Sequence, residues 1–506
     1  MILLERVFKN SISSVTKNLI STVILFLLTP FVLYKVGMND FGIWSLLSII
    51  SNPSSIVDLG LNAGLVFFIA KEKEISNFKR INIIFNTVFV LFLIISIIIM
   101  LVLWILKTQI YIHIFHLSSA DVSKIDLIFV FSLFTFLINF IANSFRSLLI
   151  GFQRMDISNY ISLVIQIFWG IGIVIFLNLD FGLLGLACNS FIIGLINLFV
   201  LLFFCYKVFP YFRINVLFFD FQELKKMLVY SSLVQLQVWL GFFYWNVIKI
   251  LISYFLNPTF VSYYEISSRI VGQLIGFLRV LISPLMPAVA EIFSTGGKEK
   301  IKVIYQHVFK YSFLYGIFSM AGIFLFIDNF IYLWLGKRYI EVNISVYFMV
   351  VSYFFNLLTF GGCEILYGMG KPLVVALSSF ISLLFLIVSF VGLIPWLGYI
   401  GVLLSLFISM ASASIYLLVK VNEMLGLGKS FFAYLREYKI SIFLFGLAYF
   451  ILKLYFIAIG SNTIIYFSLG IFIYLILSFG IFVSSLDKFD KDILLKGLRN
   501  EGKSVD

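Results

Sequence analysis

The chain has 506 residues, 62% of them hydrophobic and only 12% charged, with a mean hydropathy of +1.10. A water-soluble domain would have too little polar surface at that balance, so the chain is a membrane protein. The net charge of +12 is not a nucleic-acid signal, because no stretch is polar enough to form a soluble basic domain.

Residues 1–14 are polar at several positions, with Leu4, Phe8 and Ile12 repeating every fourth residue, and read as a short interfacial helix rather than a cleavable leader. A crossing helix needs about 20 mostly apolar residues. Fourteen such runs follow: near 15–34, 41–70, 81–106, 127–150, 157–178, 183–206, 228–256, 260–290, 311–335, 342–367, 372–394, 398–420, 438–458 and 464–485. With a cytoplasmic N-terminus, Lys71, Lys73, Lys79, Arg80, Arg154, Lys225, Lys226, Lys298, Lys300 and Lys371 fall on one side, together with both basic tails. The other side holds only Lys35, Lys107, Lys124, Lys337 and Arg338. A miscounted span would scramble that asymmetry, so both termini are expected in the cytoplasm. No loop is long enough for a globular domain, which leaves the helical bundle to do the work.

Two pairs of segments repeat. Arg146-Ser-Leu-Leu-Ile-Gly151-Phe-Gln-Arg154 is echoed by Glu364-Ile-Leu-Tyr-Gly368-Met-Gly-Lys371, and Gly182-Leu-Leu-Gly185 by Gly398-Tyr-Ile-Gly401, roughly 216–217 positions apart. Phe41-Gly-Ile-Trp44 and Phe260-Val-Ser-Tyr263 form a fainter pair at nearly the same offset. Six spans per copy return the chain to its starting side, so the copies are parallel and the repeat axis lies along the membrane normal. The expected fold is all-α: a six-helix lobe at 1–206, a basic join at 207–227, a second lobe at 228–420, and two extra helices with a tail at 421–506.

Charges inside spans cost about 2.5–3.5 kcal/mol each on the insertion scale and need a reason. Lys249 and Glu265 lie at similar distances from the turn at Asn257-Pro258, and so at one depth in an antiparallel pair. Glu265 and Arg269 are four apart, on one helix face. Arg279 is about 15 Å further along and has no evident local partner, while Gly272 and Gly276 between them leave room for helix packing or a ligand. Lys249, Arg269 and Arg279 therefore outline a cationic cavity suited to phosphate oxygens; a second reading has Lys249, Glu265 and Arg269 neutralising one another with Lys249 snorkelling outward. Asp58, shortly after Pro53, is a candidate for cation coupling, for pairing with an arginine, or for a hydrogen-bonded rim position. Glu265 is a second coupling candidate. Arg146 and Glu364, in neighbouring repeat positions, suit a cytoplasmic gate or a snorkelling pair, and Asp328 and Lys453 read as interface residues.

Other features carry no chemistry. Cys188, Cys205 and Cys363 have no CxxC spacing. His113 and His116 lack clustered carboxylates, and Gly368-Met-Gly-Lys371 lacks the spacing of a phosphate-binding loop. No metal or cofactor is expected.

Asp40-Phe-Gly-Ile-Trp44 followed by Asp58-Leu-Gly-Leu-Asn-Ala63 resembles the N-terminal signature of bacterial polysaccharide transporters, the O-antigen and capsular-repeat flippases of the multidrug/oligosaccharidyl-lipid/polysaccharide exporter superfamily. Leu366-Tyr-Gly-Met-Gly-Lys371 and Gly398-Tyr-Ile-Gly401 resemble that family's second-half turns. The resemblance implies two six-helix lobes, commonly two further helices, a cationic central cavity, and translocation of undecaprenyl-diphosphate-linked glycans across the inner membrane without bond cleavage. It also implies membrane lipids and other polysaccharide-assembly proteins as partners, and leaves proton or sodium coupling open. The rival readings are a multidrug or peptidoglycan-precursor exporter of the same fold, and a membrane polymerase or glycosyltransferase, which would ordinarily need a larger loop or an acidic motif.

Overall fold

The computed structural model describes residues 2–51, 60–74, 76–115, 119–282, 285–294, 296–337, 339–427, 436, 438–459 and 464–485, with no strand among them. Lipid offers backbone groups no hydrogen-bond partner, so apolar runs of this length close on themselves as helices. Among the described residues, the fourteen apolar runs lie largely on helix. The first bundle contains α1 (Ile2–Ser51), α2 (Leu61–Glu74), α3 (Phe78–Ile105), α4 (Ser119–Gly151), α5 (Met155–Asn178) and α6 (Gly182–Val208). Then come α7 (Phe221–Phe255), α8 (Pro258–Ile282), α9 (Leu285–Ser294), α10 (Lys298–Leu335), α11 (Ile340–Gly368), α12 (Pro372–Leu397) and α13 (Tyr399–Leu425), followed by α14 (Lys439–Ile459) and α15 (Ile464–Ser484). Eleven of the described helices are long and apolar enough to cross a bilayer. The helix α8 is not one of them, because Glu265, Arg269 and Arg279 interrupt its apolar sequence.

By contacts the chain forms two units: residues 1–266 with 394–402, and residues 267–393 with 403–506. The division falls inside α8, later than the join at 207–227 that the duplication marks. The reason lies in α7, which packs against α2 and α3. Inside α1, Gly37 at φ 82° and ψ 171° ends one span and starts the next; that region is open essentially to glycine alone.

The repeats recur as geometry. Gln153 and Arg154 donate their amides to the Ile150 and Leu149 carbonyls at 2.8 and 2.9 Å; Gly370 and Lys371 donate to those of Tyr367 and Leu366 at 3.0 and 2.9 Å. These are matching helix C-caps, with left-handed Gln153 and Gly370 in the same place. A third pair is invisible in the residue types. Ser76 and Asn77 donate to Lys73 and Glu72 as Gly296 and Gly297 donate to Phe293 and Ile292. The glycines of the echoed turns have a packing reason. A Cβ on Gly151 would lie 2.8 Å from Ile69 of α2, and one on Gly368 would lie 2.7 Å from the Met286 carbonyl of α9. In each copy the small residue lets two helices approach closely.

Each unit has its own aromatic-rich core: Phe85, Phe92, Phe140 and Phe145 lie in the first, and Tyr305, Phe309, Phe313 and Leu358 in the second. The faint third echo is a contact within the first unit. Ser262 Oγ donates to the Met38 carbonyl at 2.5 Å, and Gly42 stands so close to Pro258 that a Cβ would meet its backbone.

The segment between α6 and α7 is clasped to α3. Asn82 Nδ2 donates to the Tyr211 carbonyl at 3.0 Å while its Oδ1 accepts from the Arg213 amide at 2.8 Å. One turn later Asn86 repeats the arrangement, donating to the Arg213 carbonyl at 2.7 Å and accepting from the Asn215 amide at 2.8 Å. Thr87 Oγ1 accepts from the Asp220 amide at 3.0 Å. Asn86 and Thr87 are fully buried. Asn86→Leu would leave two backbone groups without partners, at about 1–3 kcal/mol each. We expect a lower unfolding midpoint in a thermal-denaturation series of purified protein; an unchanged midpoint would show that the clasp contributes nothing net.

Candidate functional site

In the first unit, the antiparallel run of α7 into α8 brings Lys249 and Glu265 together. The Lys249 Nζ lies 2.6 Å from Glu265 Oε2, with side-chain exposures of 16% and 15%. Such short, largely enclosed contact belongs to a charge pair with little water around it. Arg146, on α4, donates through Nη1 to Ser162 Oγ on α5. Ser162 in turn donates to the Ser158 carbonyl at 2.8 Å. The arginine is thus fixed across two helices instead of extending toward an interface.

Near the basic loops Arg80 bridges Glu72 and Glu223, both at 3.2 Å, and Lys226 reaches Glu223 at 2.9 Å. Glu72 is 2% exposed. This network joins α2, α3 and α7. In the sequence Arg80 and Lys226 register only as positive loop charges, since nothing in the spacing connects residues 72, 80 and 223.

In the second unit the defining element is the stretch of α8 from Ser267 onward. Arg269, Gly272, Gly276 and Arg279 are spaced by three, four and three residues and so lie on one helical stripe, which Glu265 of the same helix extends by a further four. A Cβ at either Gly272 or Gly276 would meet nothing within 4 Å. The glycines therefore open a bare strip of helix and do not serve close helix packing. Another face of the helix is occupied: the Tyr315 hydroxyl on α10 donates to the Leu274 carbonyl at 2.8 Å, and its ring stacks on Phe277.

Arg279 is exposed on this strip, and it has a partner that sequence reasoning missed. Its guanidinium carbon is 5.2 Å from the Phe360 ring centroid on α11, the distance of a cation–π contact. One turn on, the Glu364 carboxylate and the Cys363 thiol lie within reach of its charge. Phe360 and Glu364 are four apart on α11, a pairing with α8 that only the tertiary fold reveals. Glu364 thus answers to Arg279, and Arg146 to Ser162. Asp58 and Pro53 lie outside the described residues. No group of three or more metal-binding side chains occurs among the described residues.

A comparison with curated proteins yields no match. Among solved structures, "Lipid II flippase MurJ, inward closed conformation" matches with TM-score 0.69 at 13% identity, covering 96% of this chain and 99% of the other. An inward-facing multidrug resistance MATE family transporter of the MOP superfamily matches with TM-score 0.63 at 15% identity, covering 81% of this chain and 94% of the other. An outward-facing multidrug resistance MATE family transporter of the MOP superfamily gives TM-score 0.56 at 16% identity, covering 83% of this chain and 96% of the other. At these identities the likeness concerns the fold alone. The sequence itself matches the family described as "Polysaccharide biosynthesis protein" over residues 4–293, from the start of α1 through α8 and most of α9. With more than half its length inside that match, and its helices in the matching fold, this multi-pass membrane protein belongs to the polysaccharide biosynthesis protein family.

Proposed function

We propose that the protein is a flippase that carries an undecaprenyl-diphosphate-linked oligosaccharide, an O-antigen or capsular repeat unit, from the cytoplasmic to the outer leaflet of the bacterial inner membrane. Both termini are cytoplasmic in this reading. The observation that carries it is the strip on α8, where Arg269 and Arg279 flank two glycines with open space above them. A bare helix strip bearing guanidinium groups at both ends would be costly against acyl chains. Facing water, it offers planar donor pairs to a diphosphate. The proposed cycle is alternating access: the headgroup exchanges its hydration for the arginines, the polyprenyl tail stays in lipid, and the headgroup is released on the far side with no bond broken. A proton or sodium gradient would supply the drive, with Glu265 and Asp58 as candidate coupling groups.

Two observations favour a lipid-linked anionic cargo over an organic cation. The exposed charge on the strip is cationic. The lipid II flippase fold covers 96% of the chain, whereas the inward-facing multidrug fold covers 81%. The test is leaflet-resolved transport in proteoliposomes. A lipid-linked oligosaccharide supplied in one leaflet should become accessible to a membrane-impermeant glycosidase from the other. Elongation of the glycan by the purified protein would support a polymerase instead, and efflux of a cationic dye without glycan movement would support a multidrug exporter.

A further inference from the structure

A separate cavity of about 550 Å³ lies in the second unit, where the ends of α10 and α11 meet the extra helix α14. Its lining combines opposite charges with amide and aromatic groups. Asp328 on α10 accepts a hydrogen bond from Asn343 Nδ2 on α11 at 2.8 Å, and the Tyr347 hydroxyl one turn further on also bonds to it. Lys453 on α14 faces the same space, with its Nζ donating to the Tyr449 hydroxyl at 3.0 Å. Asn343 Oδ1 is buried and accepts no hydrogen bond. A buried amide oxygen without a donor is unfavourable, which marks it as half of an unfinished contact.

The ligand chemistry follows from these groups. Asp328 and the vacant Asn343 oxygen can take a positively charged N–H donor. Lys453, whose charge acts on Asp328 across the cavity without an ion pair, can take an anionic oxygen. Apart from Asn329, the rest of the wall is apolar or aromatic, with Phe324 stacked on Tyr347 at 5.2 Å and Phe456 beside them. Asp328 is seven residues from the end of α10 and Lys453 six from the end of α14, about 10 Å of helix in each case. That is the depth at which headgroups give way to acyl chains.

We propose that this cavity binds the headgroup of a phospholipid carrying a primary ammonium and a phosphate, phosphatidylethanolamine in class, in the leaflet opposite the basic loops. The ammonium sits between Asp328 and Asn343, the phosphate meets Lys453, and the glycerol end lies against the aromatic wall. The site is independent of the α8 strip and of the cargo.

The experiment is lipid retention. The purified full-length protein is equilibrated with equimolar phosphatidylethanolamine, phosphatidylcholine and phosphatidylglycerol, stripped by detergent washing, and the lipid that stays bound is quantified by mass spectrometry. Phosphatidylethanolamine should be retained roughly tenfold over phosphatidylcholine, whose quaternary ammonium has no N–H to give. Asp328→Asn should remove that preference, and Lys453→Gln should lower the retention of all three lipids, because each carries the phosphate. Lys453 is exposed, so its replacement leaves the packing intact. Equal retention of the three lipids, a preference for phosphatidylglycerol, a preference that survives Asp328→Asn, or retention unmoved by Lys453→Gln would overturn the proposal. So would displacement of the lipid by soluble phosphoethanolamine at equal concentration, because the site would then recognise a free solute.

Discussion

Arg279→Ala should reduce glycan transport by roughly a hundredfold or more while the protein still inserts at normal abundance. Once a diphosphate covers it, the guanidinium becomes half of a desolvated charge pair, whose truncation costs about 2–5 kcal/mol, and each 1.4 kcal/mol is about a tenfold effect. Arg279→Lys should fall between the two, because it keeps the charge but loses the planar fork that matches phosphate oxygens. Arg269→Ala should act in the same direction from the other end of the strip. The arginine also holds a local contact with Phe360 and Glu364, and its loss leaves that carboxylate without its countercharge. The double variant Arg279→Ala, Glu364→Gln separates the two roles. It should recover any lost abundance and still fail to transport. Wild-type transport by Arg279→Ala and Arg269→Ala alike, at normal abundance, would remove the cargo-binding role from the strip.

The second large effect is on stability. Lys249→Met leaves the Glu265 carboxylate, 15% exposed, without its 2.6 Å partner. Breaking such a pair from one side typically costs about 3–5 kcal/mol, whereas replacing both partners by neutral groups of similar volume is often without penalty. Lys249→Met should therefore lower the unfolding midpoint sharply, and Lys249→Met, Glu265→Gln should return it close to wild type. Transport in the double variant then decides between the two readings of these residues. Retained transport makes the pair a structural lock between α7 and α8. Loss of transport with restored stability assigns it to cargo or coupling. Equal midpoints for the single and double variants would contradict the pairing.

The reach of the sequence into this structure followed the physics of each element. The apolar runs were legible because lipid accepts few alternatives to helix, and their described residues lie largely on helices. The duplication was legible where a glycine was needed twice, at Gly151 and Gly368, both pressed against a neighbouring helix. It was hidden at Ser76-Asn77 and Gly296-Gly297, where different residues build the same helix end. The first span boundary was legible only as a gap between runs; its cause is the left-handed Gly37. The Lys249–Glu265 contact could be anticipated because both residues flank one short turn. The Arg279 contact with Phe360 and Glu364 could not, since it joins residues 81 or more positions apart in the chain. The roles of Asn82 and Asn86 were not legible, because their partners across the clasp are backbone groups, which leave no trace in residue type.

The clasp also bears on biosynthesis. Every group in it, from Asn82 to the Asp220 amide, is synthesised before α7 begins. The amino-terminal helices can therefore secure the chain's exit point while the remainder is still being translated, in keeping with the tendency of domains to fold in order of synthesis. Later spans would then be threaded from an anchored stem.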